Sequence, residues 1–169
     1  MKRHWKTATV FAGVLIIAVL GPSSPASAHY VYAQNYLYAS DETCTQARSE
    51  VSHGGNGQGY YKGDVKSRAK LNLQLPNPNP CGKDWGRPPG YLTVGLNLLK
   101  WDGSAWAMCT KTDMYYNTSN AAQFQLAVGG NDRAPTCGPG YYATNTWAFV
   151  QNGDWLGGVL WSGQHQLPA

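Results

Sequence analysis

"YKGDVKSRAKLNLQL", residues 61–75, decides the fold. Its odd positions are Tyr61, Gly63, Val65, Ser67, Ala69, Leu71, Leu73 and Leu75; its even positions are Lys62, Asp64, Lys66, Arg68, Lys70, Asn72 and Gln74. A β-strand sends successive side chains to opposite faces, so this alternation builds one apolar face and one wet face. A helix would scatter both sets around its circumference. The segment is therefore a long, half-buried strand, and the rest of the chain is read outward from it.

Toward the C-terminus, "PNPNPCGKDWGRPPG" (76–90) is an irregular loop, because proline cannot donate to a sheet ladder. "YLTVGLNLLK" (91–100) alternates again, with Leu92, Val94, Leu96 and Leu98 on one side. Asp102-Gly103 in "WDGSAW" (101–106) is a hairpin turn, and "AWAMCTKTDMYY" (105–116) is the returning strand. "AAQFQLAV" (121–128), "YYATNTWAFV" (141–150) and "WLGGVLW" (155–161) are three more strands, the last two joined through Asn152-Gly153. Toward the N-terminus, the Tyr-rich "VYAQNYLYA" (31–39) is a strand. "SDETCTQARSEVSHGG" (40–55) reads as a short helix, capped by Ser40 or Asp41 and ended by Gly54. Seven strands and at most one short helix, with repeated hairpin turns, predict an all-β chain. The expected fold is an antiparallel β-sandwich, immunoglobulin-like or jelly-roll-like.

Residues 1–28 read as a secretory signal peptide. Lys2, Arg3 and Lys6 precede the apolar run Ala8–Leu20, and Ala26-Ser27-Ala28 supplies a small-residue cleavage site. The apolar run is shorter than the roughly 20 residues a spanning helix needs, so no membrane anchor is expected. The product is then one secreted, extracellular domain, residues 29–169. Three of the 13 Lys and Arg fall in the leader, which leaves ten against nine acidic residues and a near-neutral domain. That charge gives no basis for a nucleic-acid partner. Cys44, Cys81, Cys109 and Cys137, an even set in a secreted chain, imply two disulfides. Pairing sequence neighbours closes the shortest loops and favours Cys44–Cys81 and Cys109–Cys137. No C-x-x-C motif suggests a zinc ribbon.

Chemistry-bearing motifs are sparse. No G-x-S-x-G elbow is present, Glu42 and Glu50 are the only glutamates, and the aspartates sit mostly at turn signals. Lys62, Lys66, Arg68 and Lys70 share one strand face but are interrupted by Asp64, as on a solvated surface. Cleavage after Ala28 would make His29 the amino terminus, where an amine and a ring can chelate copper. His53 lies among glycines and His165 in a C-terminal tail, so any Cu²⁺ is expected on the terminal amine and His29 alone. The excess that stands out is aromatic: six of the seven Trp and all eleven Tyr lie in residues 29–169. With Leu92, Val94, Leu96 and Leu98 inward, Trp101 falls on the opposite face, and Trp106 joins it across the Asp-Gly turn. Trp and Tyr on such a face stack on sugar rings. The expected function is binding rather than catalysis, without a cofactor: Trp85, Trp101 and Trp106 recognise a polysaccharide or cell-envelope polymer. Two alternatives are another protein held by the disulfide-pinned loops 76–90 and 129–140, and a copper-binding or mono-oxygenase role at His29.

Overall fold

The computed structural model describes residues 30–39, 42–53, 59–71, 81–129 and 137–167. The leader, His29, the caps Ser40, Asp41 and Gly54, residues 72–80, which include the last four positions of the opening stretch, and residues 130–136 lie outside the described residues. Eleven strands are described: β1 (Tyr30–Ala39), β2 (Thr43–His53), β3 (Gly59–Lys70), β4 (Cys81–Asp84), β5 (Leu92–Trp101), β6 (Trp106–Lys111), β7 (Tyr115–Tyr116), β8 (Gln123–Gly129), β9 (Gly140–Asn152), β10 (Asp154–Trp161) and β11 (His165–Leu167). They form two antiparallel sheets packed face to face. The first runs β1-β2-β3-β4, with β8 also on β3. The second runs β10-β9-β5-β6, with β11 also on β9 and β7 also on β5.

The alternation of 61–70 is observed. Tyr61, Gly63, Val65 and Ser67 are buried on the inner face, while Lys62, Lys66 and Arg68 are half-exposed outside. Leu92, Val94, Leu96 and Leu98 meet them from β5, joined by Tyr142, Ala148 and Val150 of β9, Ala47 and Val51 of β2, and Leu167 of β11. Each of the valines and leucines among them, fully buried, contributes roughly 1.5–3 kcal/mol. At Gly63 the sheets approach so closely that a Cβ would lie 2.4 Å from Thr146 and 2.6 Å from Leu96. Both turn glycines read from the sequence have positive φ, Gly103 at 107° and Gly153 at 81°. At the first turn, Asp102 Oδ1 accepts from the Ser104 and Ala105 amides, each at 2.8 Å.

Residues 43–53 are a strand, not the expected helix. Thr43, Thr45, Ala47, Ser49 and Val51 alternate inward and are fully buried, while Gln46 and Arg48 face out. The inward set is small and partly hydroxylic, so its period of two carried no apolar signature. The hydroxyls are satisfied across the sandwich. Thr45 Oγ1 donates to Leu156 O at 2.7 Å, Ser49 Oγ to Thr144 O at 2.9 Å, and Thr146 Oγ1 to Ser49 Oγ at 2.8 Å. β4 and β11 are the other strands beyond the expected seven, at four and three residues too short for a periodic signal, and the single strand expected over 105–116 is divided into β6 and the two-residue β7. The disulfides are Cys44–Cys81 and Cys109–Cys137, as the spacing favoured.

Candidate functional site

The outer face of the second sheet is covered with aromatic rings. On β5, residues Thr93, Gly95, Asn97, Leu99 and Trp101 point away from the core, because their alternating neighbours point into it. Trp106 and Met108 of β6 stand opposite Trp101 and Leu99, and the register shift that follows brings Lys111 opposite Asn97. On β9 the inward series Thr144, Thr146, Ala148 and Val150 leaves Asn145, Trp147 and Phe149 outside. The hairpin register then carries that face onto β10, where Trp155 pairs with Gln151, Gly157 with Phe149, Val159 with Trp147 and Trp161 with Asn145.

Two aromatic clusters result. Trp106 touches Trp101 edge to face at 5.5 Å between centroids and Trp161 at 6.3 Å. At the other end Tyr116 meets Trp155 at 5.9 Å, and a groove of about 310 Å³ is lined by Thr93, Met114, Tyr116, Trp147, Phe149 and Trp155. Four of the indoles remain substantially exposed: Trp101 at 37%, Trp147 at 42%, Trp155 and Trp161 at 44% each. From Trp155 to Trp161 is six steps along β10, about 20 Å at strand rise. Asn97 and Asn145 are paired residues between the clusters. With its amide oriented to satisfy both ends, Asn97 donates to Leu96 O at 3.3 Å and accepts from Trp147 Nε1 at 3.1 Å. Asn145 Oδ1 has no hydrogen-bond partner among the described residues. Lys111 is the single charged side chain among the described strand residues of this face.

Trp85 is elsewhere. It follows β4 at the end of the first sheet, and Arg87 lies 3.9 Å beneath its ring. That guanidinium is buried and held by hydroxyl and amide oxygens, Ser67 Oγ at 2.9 Å, Thr43 Oγ1 at 2.5 Å and Asn152 Oδ1 at 3.2 Å. Burial lowers its pKa, with Glu42 opposing. The hollow beside Trp85, about 580 Å³, is lined by Glu42, Ala69, Lys83 and Asp84. It is larger than the groove beside Trp155, but one face of its single ring is already used by Arg87. The structure therefore brings Trp101 and Trp106 together and leaves Trp85 apart.

The outer face of the first sheet is a charge lattice with a tyrosine margin. Glu50 pairs with Arg48 at 2.6 Å and Lys62 at 3.5 Å; Asp84 pairs with Lys66 at 3.4 Å and Arg68 at 3.5 Å. Arg48 lies 4.6 Å from the Tyr32 ring, and Arg68 donates to Tyr36 Oη at 2.7 Å. Asp64 is buried among them; desolvation raises its pKa, while Arg48, Lys62 and Lys66 pull it down. Three residues of the basic stripe, Lys62, Lys66 and Arg68, are thus paired with cross-strand acids.

The histidines differ from expectation. His53 is the last residue of β2 and His165 the first of β11, both half-buried, with rings stacked at 5.0 Å and 7° apart. Neither occupies the glycine loop or the loose tail that the sequence suggested, because ladders to β3 and β9 hold them. Among the described residues, no group of three or more His, Cys, Asp or Glu side chains is placed to hold a metal. Nor is any helix among them long and apolar enough to cross a membrane.

Sequence reasoning missed Trp147, Trp155, Trp161 and Tyr116. The missing signal was parity on β9, whose inward positions include the polar Thr144 and Thr146. Carrying the Trp101 face through the Asn-Gly turn onto β10 would have required that parity. No family model, curated protein or solved structure matches the chain.

Proposed function

We propose that the protein is a non-catalytic binding protein that takes a neutral polysaccharide, free or within a cell envelope, on the outer face of its second sheet. The observation that carries this reading is the row of exposed indoles, Trp101, Trp147, Trp155 and Trp161, with Asn97 and Asn145 between them. A pyranose ring has an apolar C–H face and an equatorial belt of hydroxyls. The exposed indoles match the first. A face with one charged residue suits an uncharged polymer better than an anionic one. The rings are held on strands of a disulfide-linked sandwich, so little ordering entropy opposes binding. Secretion, through the leader of residues 1–28, would bring the protein to such a polymer.

The test is depletion of the purified domain from solution by microcrystalline cellulose, chitin and insoluble xylan, with Trp101→Ala and Trp155→Ala alongside. Loss of one stacking ring is expected to weaken binding by about 1–3 kcal/mol, borrowing the range for rings stacked under nucleic-acid bases. Equal depletion of wild type and both variants would overturn the reading. So would a concentration-dependent dimer that both variants abolish, since the face would then bind its own copy.

A further inference from the structure

The two aromatic clusters of the second sheet are joined by one strand. Trp155 stands at the start of β10 and Trp161 at its end, on the same outer face, each 44% exposed. The outward residues between them are Gly157 and Val159. The first has no side chain and the second is half-buried, so β10 forms a low lane between two raised indoles. Trp147, paired with Val159 from β9, flanks one side of the lane. On the other side no strand is hydrogen-bonded to β10 among the described residues, which makes it the edge of its sheet.

The rings are not laid out for a flat surface. Trp106 is inclined by 61° to Trp101 and by 63° to Trp161, and Tyr116 by 57° to Trp155. Two planes at such angles cannot both lie against a third. A flat polymer face, as on a crystalline fibre, would stack on at most one ring of each pair. Strand twist also turns the outward direction of Trp155 away from that of Trp161. A single glycan chain meets neither restriction. One sugar stacks on an indole while the inclined ring touches its edge, and the torsions of each linkage let the chain turn with the strand. The lane is about 20 Å long at strand rise. Bonds of about 1.5 Å give a pyranose and its bridging oxygen a length of about 5 Å along an extended chain, so about four units reach from one cluster to the other. Equatorial β-1,4 linkages keep a chain extended along a strand, whereas α-1,4 linkages curl it out of line.

We propose that this face takes one extended, neutral β-1,4-linked glycan chain lengthwise along β10, with the Trp155 cluster and the Trp161 cluster as two subsites bridged by the same chain. The inference rests on the polysaccharide reading above and narrows it to a single chain rather than a crystalline surface. Once one cluster is occupied, binding at the other is intramolecular, so a chain long enough to bridge them gains affinity without any new kind of contact. A chain too short to bridge them uses one cluster at a time.

The experiment titrates the purified domain by calorimetry with soluble β-1,4-linked gluco-, xylo- and N-acetylchito-oligosaccharides, from disaccharide to hexasaccharide, and with malto-oligosaccharides of the same lengths. In the β-1,4 series that binds, the hexasaccharide is expected to bind about 100-fold tighter than the disaccharide, with most of the rise complete at about four units. Maltohexaose should bind no better than that disaccharide. Trp155→Ala and Trp161→Ala, checked for folding by circular dichroism, should each bring the hexasaccharide down to the affinity of the disaccharide. The length series needs no variant, so it decides the matter even if an indole is required for folding. Affinity that levels off at the disaccharide, maltohexaose binding as tightly as the β-1,4 hexasaccharide, or a loss in only one of the two variants would overturn the bridged chain and leave the polysaccharide reading intact. Retention on microcrystalline cellulose without binding to any soluble chain would overturn it in favour of a crystalline surface. Absence of binding to soluble chains and insoluble polymers alike would overturn both.

Discussion

Ser49→Ala is the most informative single change in the core. Ser49 Oγ donates to Thr144 O and accepts from Thr146 Oγ1, and all three residues are fully buried. Thr144 O has a second donor, the Ser162 amide at 2.9 Å, so it stays satisfied without Ser49. Thr146 Oγ1 loses the acceptor that joins it to the first sheet. A buried donor without a partner costs about 1–3 kcal/mol, so Ser49→Ala is expected to destabilise by about 2 kcal/mol. Thr146→Val removes the other partner with little change of shape and leaves Ser49 its bond to Thr144, so about 1 kcal/mol is expected. The double variant has no orphan at all. It should cost about 2 rather than 3 kcal/mol, a coupling of about 1 kcal/mol. Urea unfolding followed by tryptophan fluorescence at pH 7 measures all four corners of the cycle. At about 3 °C per kcal/mol, melting should fall by about 6 °C in Ser49→Ala. Additive losses within about 0.3 kcal/mol would refute the inter-sheet hydroxyl chain as an energetic unit.

Three further outcomes follow from the geometry. Labelling of unfolded, unreduced protein should find no free thiol, and replacing Cys44 and Cys81 by alanine should cost about 4 kcal/mol, from chain entropy at a separation of 37 residues; a loss under 1 kcal/mol would count against it. Because burial raises the folded-state pKa of Asp64, its ionised form costs stability above the ordinary carboxylate range, and that cost is relieved as pH falls through it. Asp64→Asn should therefore be at least as stable as wild type at pH 7 and lose that advantage toward pH 4, measured by urea midpoints; an advantage that grows in acid would contradict the assigned cause. Trp85→Ala should leave polysaccharide depletion unchanged while lowering stability, since its ring covers Arg87 and not the indole face; weakened depletion would restore it to the site.

The strands that could be read in advance were those whose inward residues are hydrocarbons. β3 and β5 showed themselves because Val65 or Leu96 contrasts with Lys66 or Asn97. β2 did not, because its inward residues include Thr43, Thr45 and Ser49, and the partners of Thr45 and Ser49 lie more than 90 residues away in the chain. No local window contains that information. The site divides in the same way. Trp101 and Trp106 were legible because a short four-residue turn, 102–105, joins them, whereas Trp161 reaches Trp106 only through three intervening ladders. Trp85 was misplaced because loop residues have no parity to read. His53 and His165 read as loop and tail because glycines and a chain end sit beside them; His53 is in fact held by its pairing with Gly59 across the β2–β3 connection, and His165 by Tyr142 of β9.

The central ladder of the second sheet joins Leu98 to Thr144 and Leu92 to Val150, segments separated by three other strands, one of which pairs with the opposite sheet. Such closure is slow, since the entropy of a long loop must be overcome before the first pair forms. The Cys109–Cys137 bridge lies inside that loop and cuts out 28 of its residues. Once it has formed, β5 and β9 meet as the arms of a much shorter loop. Oxidation should therefore set the pace of folding as well as the stability of the product, and a chain refolded under reducing conditions should linger with its second sheet open and its indoles unpaired.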